Sequence, residues 1–155
     1  MAKNYLRLDK IPATGHIESV VSDSEELVAG QFVELGAVLN VAEGEEVSYT
    51  KATEGGAFDA LVAPVFLDNE LDPVGEVLEK TIAIGKPARA FILQKGDMVS
   101  FNAENAADVE AGDDVKVGAN GLGVAKAAES DTVIGKCIAV EFEPGVGDLA
   151  VIRFA

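Results

Sequence analysis

The residues of this sequence with the greatest chemical potential are one histidine and one cysteine. His16 lies in ATGHIE, and Cys137 lies in the apolar run IGKCIAVEF. Any nucleophile–base–acid arrangement would have to include His16, because the chain has no other imidazole. His16 follows a Thr-Gly turn signal and precedes a strand-like run, so we predict a solvated or capping histidine. We predict a buried, inert thiol at Cys137, and no internal disulfide.

Carboxylates are too numerous for residue type alone to identify a site. The sequence has 27 Asp and Glu residues, so a pair suited to acid–base catalysis cannot be selected from them. DNELD (68–72) and DD (113–114) offer oxygen ligands, but neither has the spaced acid–Gly–acid pattern of a calcium loop. We predict solvated acidic turns there, with weak cation binding left open. The sequence thus predicts no catalytic residues, no metal site and no cofactor.

Three glycines in GANGLG (118–123) suggest a phosphate cradle or a turn. A phosphate cradle would need them to open a helix. They lie instead between two runs rich in Val and Ala, within VKVGANGLGVAKAA (115–128). Asn120-Gly121 supplies the positive φ angles of a tight turn, so we predict a hairpin.

Composition and charge limit the classes of function. The chain has 155 residues, 16 of them Gly, and carries 12 basic against 27 acidic side chains, a net charge of −15. Such a surface repels phosphate backbones and anionic lipids, so we expect neither nucleic-acid nor membrane binding. The charge fits plain solubility, or the outward face of an assembly. The start has no signal-peptide pattern and the chain no apolar run of transmembrane length, which predicts synthesis in a cytosol.

The first twelve residues differ from the acidic body. Residues 1–12, MAKNYLRLDKIP, hold Lys3, Arg7 and Lys10 against Asp9 alone. A basic, slightly apolar arm suits docking on an acidic partner. A frayed terminus with random charge fits the same residues.

Hydrophobic periodicity favours strands through the rest of the chain. GHIESVVS (15–22), QFVELGAVLNVA (31–42) and EEVSYTKAT (45–53) are typical of strands, and VIGKCIAVEF (133–142) reads as a buried strand. LDNELDPVGEVLEK (67–80) reads as a protruding acidic loop. Eight to ten short strands with turn signals predict a mainly β fold. We expect a compact β-barrel or β-sandwich of short antiparallel strands, with residues 1–12 as a flexible arm and residues 13–155 as a single all-β domain.

One phrase recurs along the chain. LVAGQFVELG (27–36) and VEAGDDVKVG (109–118) share a glycine turn followed by alternating residues, and LQKGDMVSF (93–101) is a weaker copy. We interpret each copy as a tight turn followed by a strand whose Val points inward. The domain is then either two related β halves, or repeated use of one general hairpin pattern.

The order of these motifs resembles a known family. The motifs are GHIESVVSDSEELVAGQFVELG, the acidic loop, IGKPARAFILQKGDMVSF, VEAGDDVKVGANG and IGKCIAVE before a terminal strand. In this order they resemble the capsid decoration (cement), or head-stabilising, proteins of tailed bacteriophages. That resemblance implies a non-enzymatic β module that binds the major capsid protein on the exterior of the virion, commonly as a trimer. It implies no catalytic residues and a shell-stabilising role.

Within this hypothesis we place the docking surface on the basic arm. Tyr5 and Leu6 would be apolar anchors, and Lys3, Arg7 and Lys10 would pair with capsid acids.

Two alternatives remain. The chain fits a carbohydrate- or protein-binding β module of a viral fibre, tail or cell-surface assembly, which would be favoured if loop 67–80 clustered with Tyr49 or Phe58. A small hydrolase that uses His16 is the third hypothesis.

Overall fold

The computed structural model describes residues 5–12, 15–22, 24–40, 46–63 and 81–155. Within these ranges the chain forms thirteen β-strands and two single-turn 3-10 helices, Ala103–Asn105 and Ala119–Gly121. The mainly β fold class predicted from the sequence is therefore confirmed. In chain order the strands are β1 (Leu6–Lys10), β2 (His16–Val21), β3 (Leu27–Val28), β4 (Phe32–Asn40), β5 (Glu46–Lys51), β6 (Ala60–Val62), β7 (Thr81–Ile82), β8 (Pro87–Ile92), β9 (Met98–Asn102), β10 (Asp114–Val117), β11 (Val124–Lys126), β12 (Gly135–Glu143) and β13 (Gly147–Phe154).

Five strands close into a small barrel with the order β2-β5-β4-β6-β8. Four of its five seams are antiparallel, whereas β2 and β5 run parallel, with Val20 opposite Val47. The parallel seam is a departure from the all-antiparallel expectation. It arises because closure of the barrel brings these two strands side by side, and closure leaves no unpaired sheet edge.

Six strands form the second unit, a sheet with the order β1-β9-β13-β12-β10-β11. All of its pairings are antiparallel, and its longest is the hairpin of β12 and β13. The predicted hairpin over 115–128 is confirmed: β10 and β11 pair across a turn in which Asn120 has a φ of 56°. A separate two-stranded sheet joins β3 to β7.

One hydrophobic cluster lies between the barrel and the six-stranded sheet. Phe32 and Leu61 of the barrel belong to it together with Phe101, Ile152 and Phe154 of the sheet. The Phe32 ring centroid lies 5.9 Å from that of Phe101 and 6.3 Å from that of Phe154. The two units therefore share one core, so neither can expose its inner face without losing apolar burial.

A second cluster fills the barrel. Its members from the barrel strands are small or β-branched, which suits a narrow interior. Leu27 of β3 and Ile82 of β7 pack on the same cluster, so the two-stranded sheet contributes to the barrel's core. The fully buried members from the barrel strands are Val20, Val33, Ala60, Val62 and Ala90.

The recurring phrase has the same local structure in all three copies. Each copy has a glycine with a positive φ, followed three residues later by a valine that is 0% exposed. These pairs are Gly30 (φ 87°) and Val33, Gly96 (φ 93°) and Val99, and Gly112 (φ 97°) and Val115. The predicted inward valine is confirmed. Val33 lies in the barrel and the other two valines lie in the sheet, so one turn-and-strand pattern serves both units.

Residues 6–10 are placed differently from the flexible arm expected at 1–12. Leu6–Lys10 is strand β1, and it pairs with β9 so that Leu6 lies opposite Phe101. Leu6 is only 4% exposed, and Leu8 packs against the same shared core. The physical reason is the alternation of Leu6 and Leu8, which directs both side chains to one face of a strand. The prediction of a flexible arm was based on the charge of residues 1–12 and did not use this alternation.

Candidate functional site

The structure places the two candidate catalytic residues in different units. His16 begins β2 of the barrel with its side chain 60% exposed, and its Nε2 lies 2.6 Å from Oε1 of Glu18. Cys137 lies fully buried in the shared core, where its thiol donates to the carbonyl of Ala139. Burial raises the pKa of the Cys137 thiol, which lowers the thiolate fraction at neutral pH. The predictions of a solvated histidine and a buried thiol are confirmed.

The acidic turn at 113–114 is used in ion pairs. Asp113 accepts from Nζ of Lys126 at 2.8 Å and from the backbone N–H of Glu110. The bond from Lys126 is the main reason that the pKa of Asp113 is lowered. Asp114 lies 3.6 Å from Nζ of Lys136. Across the described ranges no three His, Cys, Asp or Glu side chains are grouped to hold a metal ion, and residues 68–72 lie outside those ranges.

Tyr49 and Phe58 line different pockets in the described part of the chain. Phe58 lines an apolar pocket of about 210 Å³ with Ile134 and Phe154, whereas Tyr49 lines a more polar one of about 330 Å³ with Ser22 and several other residues. The loop 67–80, whose clustering with Tyr49 or Phe58 would favour the carbohydrate-binding alternative, lies outside the described residues. The carbohydrate-binding alternative therefore stays a hypothesis.

A polar cluster brings together two of the residues predicted to dock on a partner. It consists of Tyr5, Arg7, Asp9, Ser100, Glu141 and Glu143, and we call it the Arg7 cluster. The Arg7 guanidinium lies 2.6 Å from Asp9, 2.6 Å from Glu141 and 3.2 Å from Glu143. It also donates to Oγ of the buried Ser100 at 3.3 Å, and that hydroxyl donates in turn to Asp9. Tyr5 donates its phenol proton to Glu143 at 3.0 Å.

The Arg7 cluster contains more negative than positive charge. One guanidinium faces the carboxylates of Asp9, Glu141 and Glu143, which leaves a net charge of two negative. The hydrogen bond to Glu141 is the largest of the effects that raise the pKa of Arg7. Burial and the bond to Glu143 raise the pKa of Tyr5. The arginine predicted to meet acids on a partner is thus held by acids of its own chain.

The other predicted docking residues have separate environments. Leu6 is buried in the shared core, and Lys10 at the end of β1 is exposed. Lys3 lies outside the described residues. The docking role of Lys3, Tyr5, Leu6, Arg7 and Lys10 stays a prediction, and Lys10 is the described member whose charge is most accessible.

Strand β12 is less buried than the sequence predicted. Its beginning is buried at Gly135 and Cys137, but Val140 is 48% exposed and Phe142 is 72% exposed. The reason is that β10 covers only the beginning of β12, at Gly135 and Lys136. The alternation of apolar and acidic residues in IAVEFE was the sequence signal of a half-exposed strand.

Comparisons with known proteins bear on the fold. The sequence matches no protein-family model and no curated protein. The structure is similar to the crystal structure of the head fiber gp8.5 N base in bacteriophage phi29, with a TM-score of 0.53 and 15% sequence identity. The match covers 92% of this chain and 93% of that chain. At this identity the likeness concerns the fold, which extends over almost the whole chain.

No helix within the described ranges is long and apolar enough to cross a membrane.

Proposed function

We propose that the protein is a non-enzymatic structural component of a tailed-phage virion, which binds the exterior of the capsid and stabilises the shell. The observation that carries this proposal is the fold likeness to the N base of a phage head fiber, over 92% of the chain. The motif order that resembles capsid decoration proteins supports the same conclusion from the sequence. The partner is the major capsid protein, bound on the outside of the virion by a trimer of this chain.

The surface chemistry supports this role. A net charge of −15 repels nucleic acid and anionic lipid, so the protein remains available for a protein partner on the shell. The barrel and the six-stranded sheet share one core, so moving them apart would cost apolar burial. Many copies on one shell, each bound at several points, would stabilise it even if each contact is modest.

Co-sedimentation tests the binding. Purified protein is mixed with unexpanded and expanded shells of the cognate major capsid protein, at several salt concentrations, and the pelleted fraction is measured. We expect saturable binding to expanded shells and a higher melting temperature of the decorated shells. Absence of binding to either shell at every salt concentration would contradict the proposal. Binding to a glycan array without binding to shells would favour the fibre or tail module instead.

A charge reversal tests the docking residues. Lys10→Glu should lower shell occupancy if the basic end of β1 faces the shell, because Lys10 is exposed and its charge is accessible. Lys86→Glu is the matched control, since Lys86 is an exposed lysine in the turn before β8 of the barrel, outside the predicted docking residues. Equal occupancy for both variants would place the docking surface elsewhere on the molecule.

A further inference from the structure

Among the described residues, no strand pairs with the second edge of β12 over most of its length. β13 pairs with β12 along its whole length, down to Glu143 opposite Gly147. On the other side, β10 and the turn before it reach only as far as Cys137, whose carbonyl accepts from the N–H of Gly112. Beyond Cys137, no strand in the described part of the chain pairs with that side of Ile138–Glu143. Alternate residues of this segment therefore direct their backbone N–H and C=O groups outward.

The free edge has an apolar face and an acidic face. Val140 lies opposite Ala150, a member of the shared core, and Phe142 lies two residues further along the same face. Both side chains lie on the same face of the sheet as the shared core, but they are exposed to solvent. Glu141 and Glu143 point to the other face, where they join the Arg7 cluster.

We propose that Ile138–Glu143 binds an extended segment of a partner protein by strand addition, and that this segment alternates apolar and basic residues. Backbone hydrogen bonds to the outward N–H and C=O groups would hold the added strand. Its apolar side chains lie beside Val140 and Phe142, which are exposed without it. Its basic side chains lie beside Glu141 and Glu143.

Charge selects the partner. Glu141 and Glu143 lie on β12 itself, within a cluster whose net charge is two negative, and a basic strand at this edge neutralises part of that charge. A second copy of this chain, paired edge to edge, would bring two such clusters together, which disfavours self-association. The segment therefore belongs to a different protein.

The outermost strands of the sheet, β1 and β11, are less suited to the same role. Leu6 of β1 is buried in the core, and neither strand has an apolar side chain among the strongly exposed ones. β1 also ends at the exposed Lys10, whose charge would repel a basic strand. The edge of β12 alone in the described sheet combines exposed apolar side chains with excess negative charge.

Peptide titration tests the site directly. The probe is a blocked peptide of alternating Lys and Val, long enough to span Ile138–Glu143, added to the full isotope-labelled chain. We expect amide chemical-shift changes and slowed amide exchange centred on Ile138–Glu143. The same peptide with a central Pro keeps the charge but loses a backbone donor, and should bind much more weakly. Shift changes spread over the acidic surface, equal for both peptides, would overturn the proposal.

Variants of the apolar face give the second readout. Phe142→Thr should weaken binding of the Lys/Val peptide about five- to tenfold, because it removes apolar contact area while keeping a strand-forming residue. Ile84→Thr is the matched control, since Ile84 is 52% exposed in the turn between β7 and β8. It should change affinity by less than about twofold. Equal affinity for Phe142→Thr and the unmodified chain would overturn the proposal.

The identity of the partner as the capsid protein rests on the proposed function, but the edge site does not. If the peptide binds at β12 and the protein does not co-sediment with shells, the strand-addition site is supported and the capsid role is contradicted. If shells bind and the peptide does not, the capsid role stands and strand addition at β12 is excluded. If Phe142→Thr weakens both, the free edge is the capsid-docking surface.

Discussion

Arg7 of β1 and Glu141 of β12 form a 2.6 Å ion pair, although β9 and β13 lie between their strands in the sheet. The guanidinium side chain lies across the intervening strands, above Ser100. Leu149 lies opposite Glu141, and Val151 lies opposite Ser100. Both are 3% exposed or less, on the face of the sheet that is turned away from the shared core. The ion pair thus joins the sheet's first strand to its fourth, on the face that carries Leu149 and Val151.

Replacement of Arg7 by Ala should lower the free energy of unfolding by about 1–2 kcal/mol, because three carboxylates then lose their common cation over a partly buried surface. Urea denaturation measures the change. Arg89→Ala is the control, since Arg89 is exposed and lies outside the Arg7 cluster; it should cost less than about 0.5 kcal/mol. Glu141→Gln combined with Arg7→Ala should recover part of the loss, because it removes one of the repelling charges. Equal losses for Arg7→Ala and Arg89→Ala would contradict the stabilising role of the cluster.

Leu6→Ala should cost about 2–4 kcal/mol of unfolding free energy, because it leaves a cavity in the shared core. Leu39→Ala is the matched control: Leu39 is 57% exposed, against 4% for Leu6, so its loss should be below about 1 kcal/mol. Thermal and urea unfolding of the isolated protein measure both. A deletion that includes residues 6–10 would remove strand β1, so any loss of shell binding on such a deletion would combine lost stability with lost docking residues. A loss below about 1 kcal/mol for Leu6→Ala would mean that β1 is dispensable to the fold.

Gly123→Ala should destabilise the protein by more than the cost of a left-handed backbone alone. Gly123 has a φ of 64°, and a Cβ there would lie 2.1 Å from the carbonyl oxygen of Asn105. Gly145 has a φ of 86° with no atom within 4 Å of such a Cβ, so Gly145→Ala should cost only about 1–2 kcal/mol. The urea midpoints of the two variants separate the clash from the backbone strain. Equal midpoints would show that the chain around Asn105 moves without cost.

Acidification should destabilise the protein through Asp113 and Asp131. A backbone hydrogen bond from Ala128, followed by the bond from Lys116, lowers the pKa of Asp131, and the bond from Lys126 lowers that of Asp113. A folded-state pKa below the unfolded value adds stability at neutral pH, and this is lost as pH falls through the folded value. The urea concentration at the unfolding midpoint should therefore decrease when the pH is lowered below about 4. Asp131→Asn should lower the urea midpoint at neutral pH and reduce the decrease of the midpoint on acidification. If the midpoint of Asp131→Asn depends on pH as strongly as that of the unmodified chain, Asp131 does not contribute to the acid destabilisation.

Cys137 should react slowly with a thiol reagent in the native protein and rapidly after unfolding. It is 0% exposed, and burial raises the pKa of its thiol, so both access and thiolate fraction are reduced. With a disulfide reagent that releases a coloured thiolate on reaction, the increase in absorbance measures the native and the unfolded rates. Native reactivity close to the unfolded rate would mean that the shared core opens readily around β12.

Local patterns were enough to predict much of the fold. Turn residues and period-two alternation predicted a mainly β chain, the hairpin at Asn120-Gly121 and the inward valines after each recurring glycine turn. These features depend on a few neighbouring residues, so the sequence contains the whole cause. The exposure of His16 and the burial of Cys137 were predictable for the same reason.

Long-range pairing decided the rest. Leu6 and Leu8 alternate like a strand, but only pairing with β9 and contact with Phe101 make residues 6–10 part of the sheet rather than an arm. We predicted a buried strand at β12, but its pairing with β10 ends early and leaves Val140 and Phe142 without a neighbouring strand on that side, where both are exposed. Composition and local spacing by themselves determined that this chain is strongly acidic and folds mainly as β-structure. The tertiary structure decided the pairings between distant strands, such as β1 with β9 and β2 with β5, because these partners lie far apart in sequence and burial depends on them.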